Sequence, residues 1–268
     1  MGFADALPIL RIAALGIITG VAMVLAGNDA AAAEIRVFSA HGVKTIVGEL
    51  LPRFEGITGH HSRVIFGEAG ELRHRILDGE GFDLALLPAA TLAELAKRGK
   101  IAAASVVDIA RTDVGIGVRA RGAKPDTGSA EAFKRSLQAA SSIVITDPAS
   151  GGVSGVHFAD VLRRLGIAHE MNPKLKLTRG ALNAEMVADG EAELAVQLAH
   201  EIRAVAGVEF VPLPAEFQRS IVFSVGLAAQ IAAGSHQRAA AVELIEFLSG
   251  RAAASMIAAT GMEPAAGR

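Results

Sequence analysis

The chain has 268 residues, 51% apolar and 20% charged, and its 26 basic and 28 acidic side chains leave a formal charge of −2. That is the composition of a soluble globular protein of one or two domains with a sizeable core, and its even charge balance excludes a nucleic-acid partner, which needs a concentrated basic patch. The absence of cysteine excludes disulfides, cysteine-bound zinc, thiol catalysis and a lipidated cysteine.

The first 33 residues stand apart. Arg11 precedes an uncharged run over 12–25, and Ala31-Ala32-Ala33 before Glu34 fits the small-x-small cleavage pattern of a secretory leader. The run is shorter than the roughly 20 residues that a spanning helix needs. The reading is a signal peptide over 1–33, cleaved near Ala33, and an exported mature chain from Glu34; an uncleaved anchor is the alternative.

A strand is predicted over 35–39. A helix follows from about Gly42, with Val43, Ile46, Val47, Leu50, Leu51, Phe54 and Ile57 on one face, a kink at Pro52 and a cap at Gly59. His60-His61 is read as exposed loop, since adjacent imidazoles do not share a face for a metal. The pattern repeats as a strand over 64–66, a helix over 69–77, a strand over 84–87 and a helix over 91–98. The third strand is apolar throughout, as in a parallel sheet covered on both faces. Residues 113–119 read as a long strand crossing between two bodies.

A second series follows: helix 130–139, strand 143–145, a Gly-rich turn and a helix to 165. Strand 175–178, helix 181–188, strands 194–196 and 208–211, a return crossing at 223–227, and helices 236–248 and 252–259 complete the chain. Alternating strands and helices at this spacing predict two doubly wound α/β lobes. The expected boundaries are 34–116 plus 216–268 for lobe 1 and 117–215 for lobe 2, joined by a two-segment hinge.

Three loops leave strand ends and open helices: Ser39-Ala40-His41-Gly42, Gly67-Glu68-Ala69-Gly70, and the stretch containing Gly152-Val153-Ser154-Gly155. In open α/β sheets ligands sit outside the carboxyl ends of strands. Free N–H groups and the positive dipole end of each helix attract an anion there. The third loop lacks the Lys-Ser/Thr of a phosphate-binding loop. It also fails the nucleophile-elbow spacing, because Val156 stands where the last glycine belongs. Charged or ionisable candidates near the loops are His41, Glu68, Arg73 and Arg179, and an arginine can grip a carboxylate with a two-pronged hydrogen bond. Thr178 and Gln197 are candidate polar contacts from the second lobe, with burial in a strand as the competing reading. No cofactor or metal is expected.

The run Phe66-Gly67, Gly70, Leu72, Ile76, Gly79 and Asp83, then Asp147-Pro148 and Gly155, then Gly190-Glu191-Ala192-Glu193 and Gly261-Met262, resembles the periplasmic molybdate-binding proteins and the wider type II periplasmic binding fold. The resemblance covers 34–264. It implies a periplasmic monomer that closes on a small anionic ligand and serves an ABC permease. Family members hold molybdate with serine hydroxyls from the first two loops, backbone N–H groups and a tyrosine. Gly42 and Ala69 stand at the serine positions here, and the chain has no tyrosine. Each lost hydrogen bond costs about 0.5–1.5 kcal/mol, so molybdate should bind weakly and an organic carboxylate better. An enzyme reading stands beside transport, because bacterial aconitate isomerase is also similar to these proteins. Under it His41 and Glu68 supply the base that moves a proton along an unsaturated tricarboxylate.

Overall fold

A computed structural model describes residues 32–180 and 183–265; the expected leader lies almost entirely outside the described residues. The first series is β1 (Glu34–Ala40), α1 (Lys44–Thr58), β2 (His61–Gly67), α2 (Ala69–Leu77), β3 (Leu84–Pro88) and α3 (Ala89–Lys97). β1 pairs in parallel with both β2 and β3. α1 buries Ile46, Val47, Leu50, Leu51 and Phe54 of the face that the apolar spacing marks, but Ile57, expected on the same face, is 75% exposed. It runs through Pro52, which lies with Gly48 on its exposed side. The Gly48 carbonyl that loses its partner at a proline there can turn to water. Gly59 ends α1 with φ +74°, a conformation glycine adopts at no steric cost.

β4 (Val107–Arg119) is the long strand of the fold and belongs to both lobes. Its first part pairs with β9 (Ser220–Leu227), as far as Asp113 opposite Ser220. From Val114 onward it pairs with β7 (Leu194–Leu198), and from Gly115 also with β8 (Val208–Pro212). The second lobe adds α4 (Ala130–Ala139), β5 (Ile143–Thr146), α5 (Val153–Arg164), α6 (Ala168–Met171), β6 (Leu175–Thr178), α7 (Asn183–Ala188) and α8 (Ala199–Ala204). β5 runs parallel to β6 and β7. α9 (His236–Ser249), α10 (Arg251–Ala259) and β10 (Glu263–Pro264) return to the first lobe, where β10 pairs with β4. The strand order is β2-β1-β3-β9-β4-β7-β5-β6.

Two expectations need correction. The return crossing is not at 223–227: β9 lies wholly between β3 and β4, and the chain comes back through residues 213–219. The strand signal there reports burial within one lobe, not passage between two. Nor is His60 an exposed loop residue. It is 4% exposed, its Nδ1 accepts the Ala33 N–H at 3.2 Å, and its Nε2 lies 3.4 Å from Glu243 on α9. Ala33 is buried too, and its carbonyl accepts the His61 N–H at 2.8 Å. The ordered body therefore includes Ala33, immediately before the expected start at Glu34. Phe38, Phe54, Phe133, Phe158 and Phe223 are the largest fully buried side chains and belong to one continuous core.

Candidate functional site

The three loops meet. Glu68 and Gly152 immediately precede α2 and α5 as their caps, and neither bonds its helix through a side chain. Ala40, before the short helical turn that leads into α1, makes none either, nor does Pro88 before α3. By contrast Ser129 and Ser235 accept from the first turns of α4 and α9. The helices facing the junction of the lobes thus keep first-turn N–H groups without side-chain acceptors, the arrangement that suits an incoming anion.

At the junction two backbones touch. Gly70 N–H donates to the Gly151 carbonyl at 3.3 Å. A Cβ on Gly70 would stand 2.7 Å from the Gly151 Cα, and one on Gly151 would stand 2.4 Å from the Gly70 Cα. No side chain fits at either position. Glu68 lies beside this contact and is 8% exposed. Its Oε1 accepts the Gly180 N–H of the second lobe at 3.2 Å and lies 3.5 Å from His41 Nδ1. The His41 nitrogen is buried and has ion-pair distance to Glu68 without hydrogen-bond alignment. Its ring stacks on Phe66, with centroids 6.3 Å apart.

The other candidates divide. Ser39 is buried and donates to the Ala40 carbonyl, and Ser154 is buried in the first turn of α5. Gly42 leaves no open space beside it: a Cβ there would meet the Leu198 and Phe223 side chains at 2.8 Å. The Thr178 hydroxyl donates to Asn183 Oδ1, and Gln197 Oε1 accepts the Ala184 N–H at 2.9 Å. Both side chains tie β6, α7 and β7 together. Arg73 is held by Glu94 of α3 through two bonds, Nε at 2.7 Å and Nη2 at 2.5 Å, and this pairing raises its pKa and lowers that of Glu94. Arg179 is 74% exposed, with a 3.3 Å contact to Asp147. Among the described residues no group of three or more His, Asp or Glu is placed to hold a metal.

Three groups at the junction escape a reading of the sequence. Glu201 Oε2 accepts the Leu198 N–H at 3.3 Å, and burial pushes its carboxyl up to about 7. Leu198 and the Gln197 amide pull the other way, while the charges of Glu68 and Glu185 add to the rise. An acid at the third position of a helix after an apolar strand is the signal that marks such a backward reach. His200 is buried against Thr112 Oγ1 at 3.2 Å and bonds the backbone of Gly42; burial drives its imidazole down to about 4. A cavity of about 190 Å³ opens where α2, α3 and α5 begin, with Arg219 in its wall. Residue 219 ends the return segment after two prolines, where the sequence shows no periodic pattern to interpret.

Known proteins resemble this chain in sequence and in fold. The family described as bacterial extracellular solute-binding protein matches residues 35–263. An aconitate isomerase from Pseudomonas sp. is 28% identical over 254 residues, which span 91% of this chain and 94% of that protein. The periplasmic molybdate-binding protein of Azotobacter vinelandii superposes with a TM-score of 0.65 at 20% identity, covering 85% of this chain and 98% of that one. The sulfate-binding protein SubI from Mycobacterium tuberculosis H37Rv gives 0.64 at 18% identity, covering 87% of each chain. At such identities the superpositions speak for the fold, two α/β lobes of the type II periplasmic binding kind. Because the family match takes in nearly every element from β1 to β10, the chain belongs to the bacterial extracellular solute-binding proteins.

Proposed function

We propose that this protein works in the periplasm, taking a small organic anion into the cleft between lobes 34–116 plus 216–268 and 117–215 and presenting it to an ABC-type permease. The observation that carries the reading is the convergence of α2 and α3 from one lobe and α5 from the other, all without side-chain caps, on one junction. A carboxylate is favoured over molybdate because a neutral hydroxyl shell is missing. Gly42 and Ala69 offer none, and the Ser39 hydroxyl is turned to the Ala40 carbonyl.

Thermal shift measurements with molybdate, sulfate, phosphate and mono-, di- and tricarboxylates test this. A ligand at 100 times its Kd stabilises the native state by about 2.7 kcal/mol, a rise of roughly 5–10 °C in a chain of this size. Carboxylates are expected to give that rise and molybdate not. A response to molybdate tighter than to any carboxylate overturns the choice of ligand, and a response to neutral sugars alone overturns the anion.

The second reading is an isomerase. It is favoured by the His41–Glu68 contact beside Glu201, whose carboxyl titrates near neutrality, and by similarity to the Pseudomonas aconitate isomerase. A base poised near the working pH is what such chemistry needs. A proton would leave the methylene carbon of trans-aconitate and one would return to the vinylic carbon, moving the double bond to give cis-aconitate. Under this reading purified protein converts trans- to cis-aconitate, seen by chromatography. Glu68→Gln and His41→Ala abolish turnover while binding persists. Saturable binding of trans-aconitate without turnover leaves a carrier.

A further inference from the structure

The cavity of about 190 Å³ lies against the Gly70–Gly151 contact, and its walls come from both lobes. Ala69 and Gly70 of α2, Ala90 and Thr91 of α3, and Val153 of α5 bring three helix beginnings to it. The rest of its wall is Pro88, Val156, Ile221, His157 and Arg219. Arg219 is exposed, and no carboxylate among the described residues pairs with its guanidinium. Its backbone is nonetheless fixed: the Arg219 carbonyl accepts the Val114 N–H at 3.1 Å, where β4 changes partners. The charged end is therefore carried by the segment that joins the lobes. His157 is 6% exposed, and its Nε2 is engaged by the Phe217 carbonyl at 2.8 Å. Burial, and the Arg219 charge in addition, hold the imidazole below its ordinary value. Arg219 is therefore the permanent cation in the wall. Val156, on α5, is 46% exposed and is one of three large hydrophobic residues left open to solvent among the described residues. Open apolar surface beside an unpaired guanidinium describes a ligand with one charged end and one apolar end.

We infer that this cavity is the specificity pocket for a short-chain aliphatic monocarboxylate, with Arg219 gripping the carboxylate and Val153, Val156 and Ile221 holding the tail. The inference rests on the carboxylate-binding reading and narrows it. Size and charge count both decide against larger acids. An apolar cavity of about 150 Å³ holds a molecule the size of benzene, so one of about 190 Å³ suits an acid of roughly six to eight non-hydrogen atoms. One carboxylate is matched by one guanidinium in a bidentate pair. A second or third carboxylate would meet no further cation in the wall.

Isobutyrate titrated into the full mature chain, read by calorimetry and melting midpoint, tests this. Wild type and Arg121→Gln, a change at an exposed residue outside the cavity wall, are expected to bind alike. Arg219→Gln should weaken binding at least tenfold, and Arg219→Lys, which keeps the charge without the fork, should fall between. Trans-aconitate and citrate should bind more weakly than isobutyrate. If Arg219→Gln titrates like wild type, or if a tricarboxylate binds best, the monocarboxylate pocket is wrong while carboxylate capture stands. If no carboxylate shifts the midpoint of any variant, both fall together.

Discussion

Gly155→Ala is expected to destabilise the protein by about 3 kcal/mol or more, at or above the top of the usual range for overpacking. A Cβ at this position would sit 1.9 Å from the Thr146 carbonyl oxygen and 2.8 Å from its carbon. Thr146 ends β5, which is laddered to β6 on one side and β7 on the other, so the carbonyl cannot retreat without dragging the sheet. The helix must move instead, and its first turn is the one that presents N–H groups to the junction. A fall of roughly 6–12 °C in melting midpoint follows for a chain of this size. Gly56→Ala is the internal comparison. It lies on the exposed side of α1 with nothing within 4 Å of its Cβ position, and should stabilise by up to about 1 kcal/mol through helix propensity. Should Gly155→Ala melt within a degree of wild type, the seating of α5 on β5 is not as tight as described.

Glu201→Gln is expected to reveal a pH dependence that the wild type conceals. The neighbours His200 and Glu201 pull stability in opposite directions. Below pH 6.5 the unfolded chain protonates His200 readily, whereas the buried imidazole resists until about 4. Stability from this group is therefore complete above pH 6.5 and is lost as pH falls toward 4. Glu201 in the native state keeps its proton up to about 7, against an ordinary 4.5. Its contribution is complete below pH 4.5 and is lost as pH rises toward 7. Each displacement is worth on the order of 3 kcal/mol. Between pH 4.5 and 6.5 the two slopes nearly cancel. Denaturant titrations across that window should show Glu201→Gln gaining stability with rising pH relative to wild type. His200→Asn should lose it. The remaining carboxylates contribute alike to all three proteins, so the differences isolate the pair. A Glu201→Gln profile parallel to wild type would refute the raised carboxyl.

The elements that came through from sequence are those whose signals are local. The helices 69–77 and 130–139 and the strand 175–178 have the bounds that periodicity assigns them. The continuous apolar run of β3 correctly announces a strand covered on both faces. What failed to show depends on partners distant along the chain. His60 is buried because Glu243 and His236, some 180 residues later, close over it. Thr178 and Gln197 have polar ends fit for a ligand, but Asn183 and the first turn of α7 take them. Arg73 is fit to bind a carboxylate, and Glu94 is the one it finds. The converging loops could be read from their glycines. The titrating groups among them could not, because burial sets the behaviour of Glu201 and no local pattern encodes burial at a junction of lobes.

The touching backbones of Gly70 and Gly151 have a consequence for selectivity. Side chains yield to a ligand, but two main chains in contact form a rigid end-stop, so the walls cannot follow a small guest inward. Along a homologous series of acids, affinity should climb with each added methylene while empty space remains to be filled. It should then drop abruptly once the guest holds the stop apart. For the carboxylate pocket proposed above, the contact acts as a sieve with a sharp upper mesh and a soft lower one, and the mesh size is set where neither residue carries a side chain.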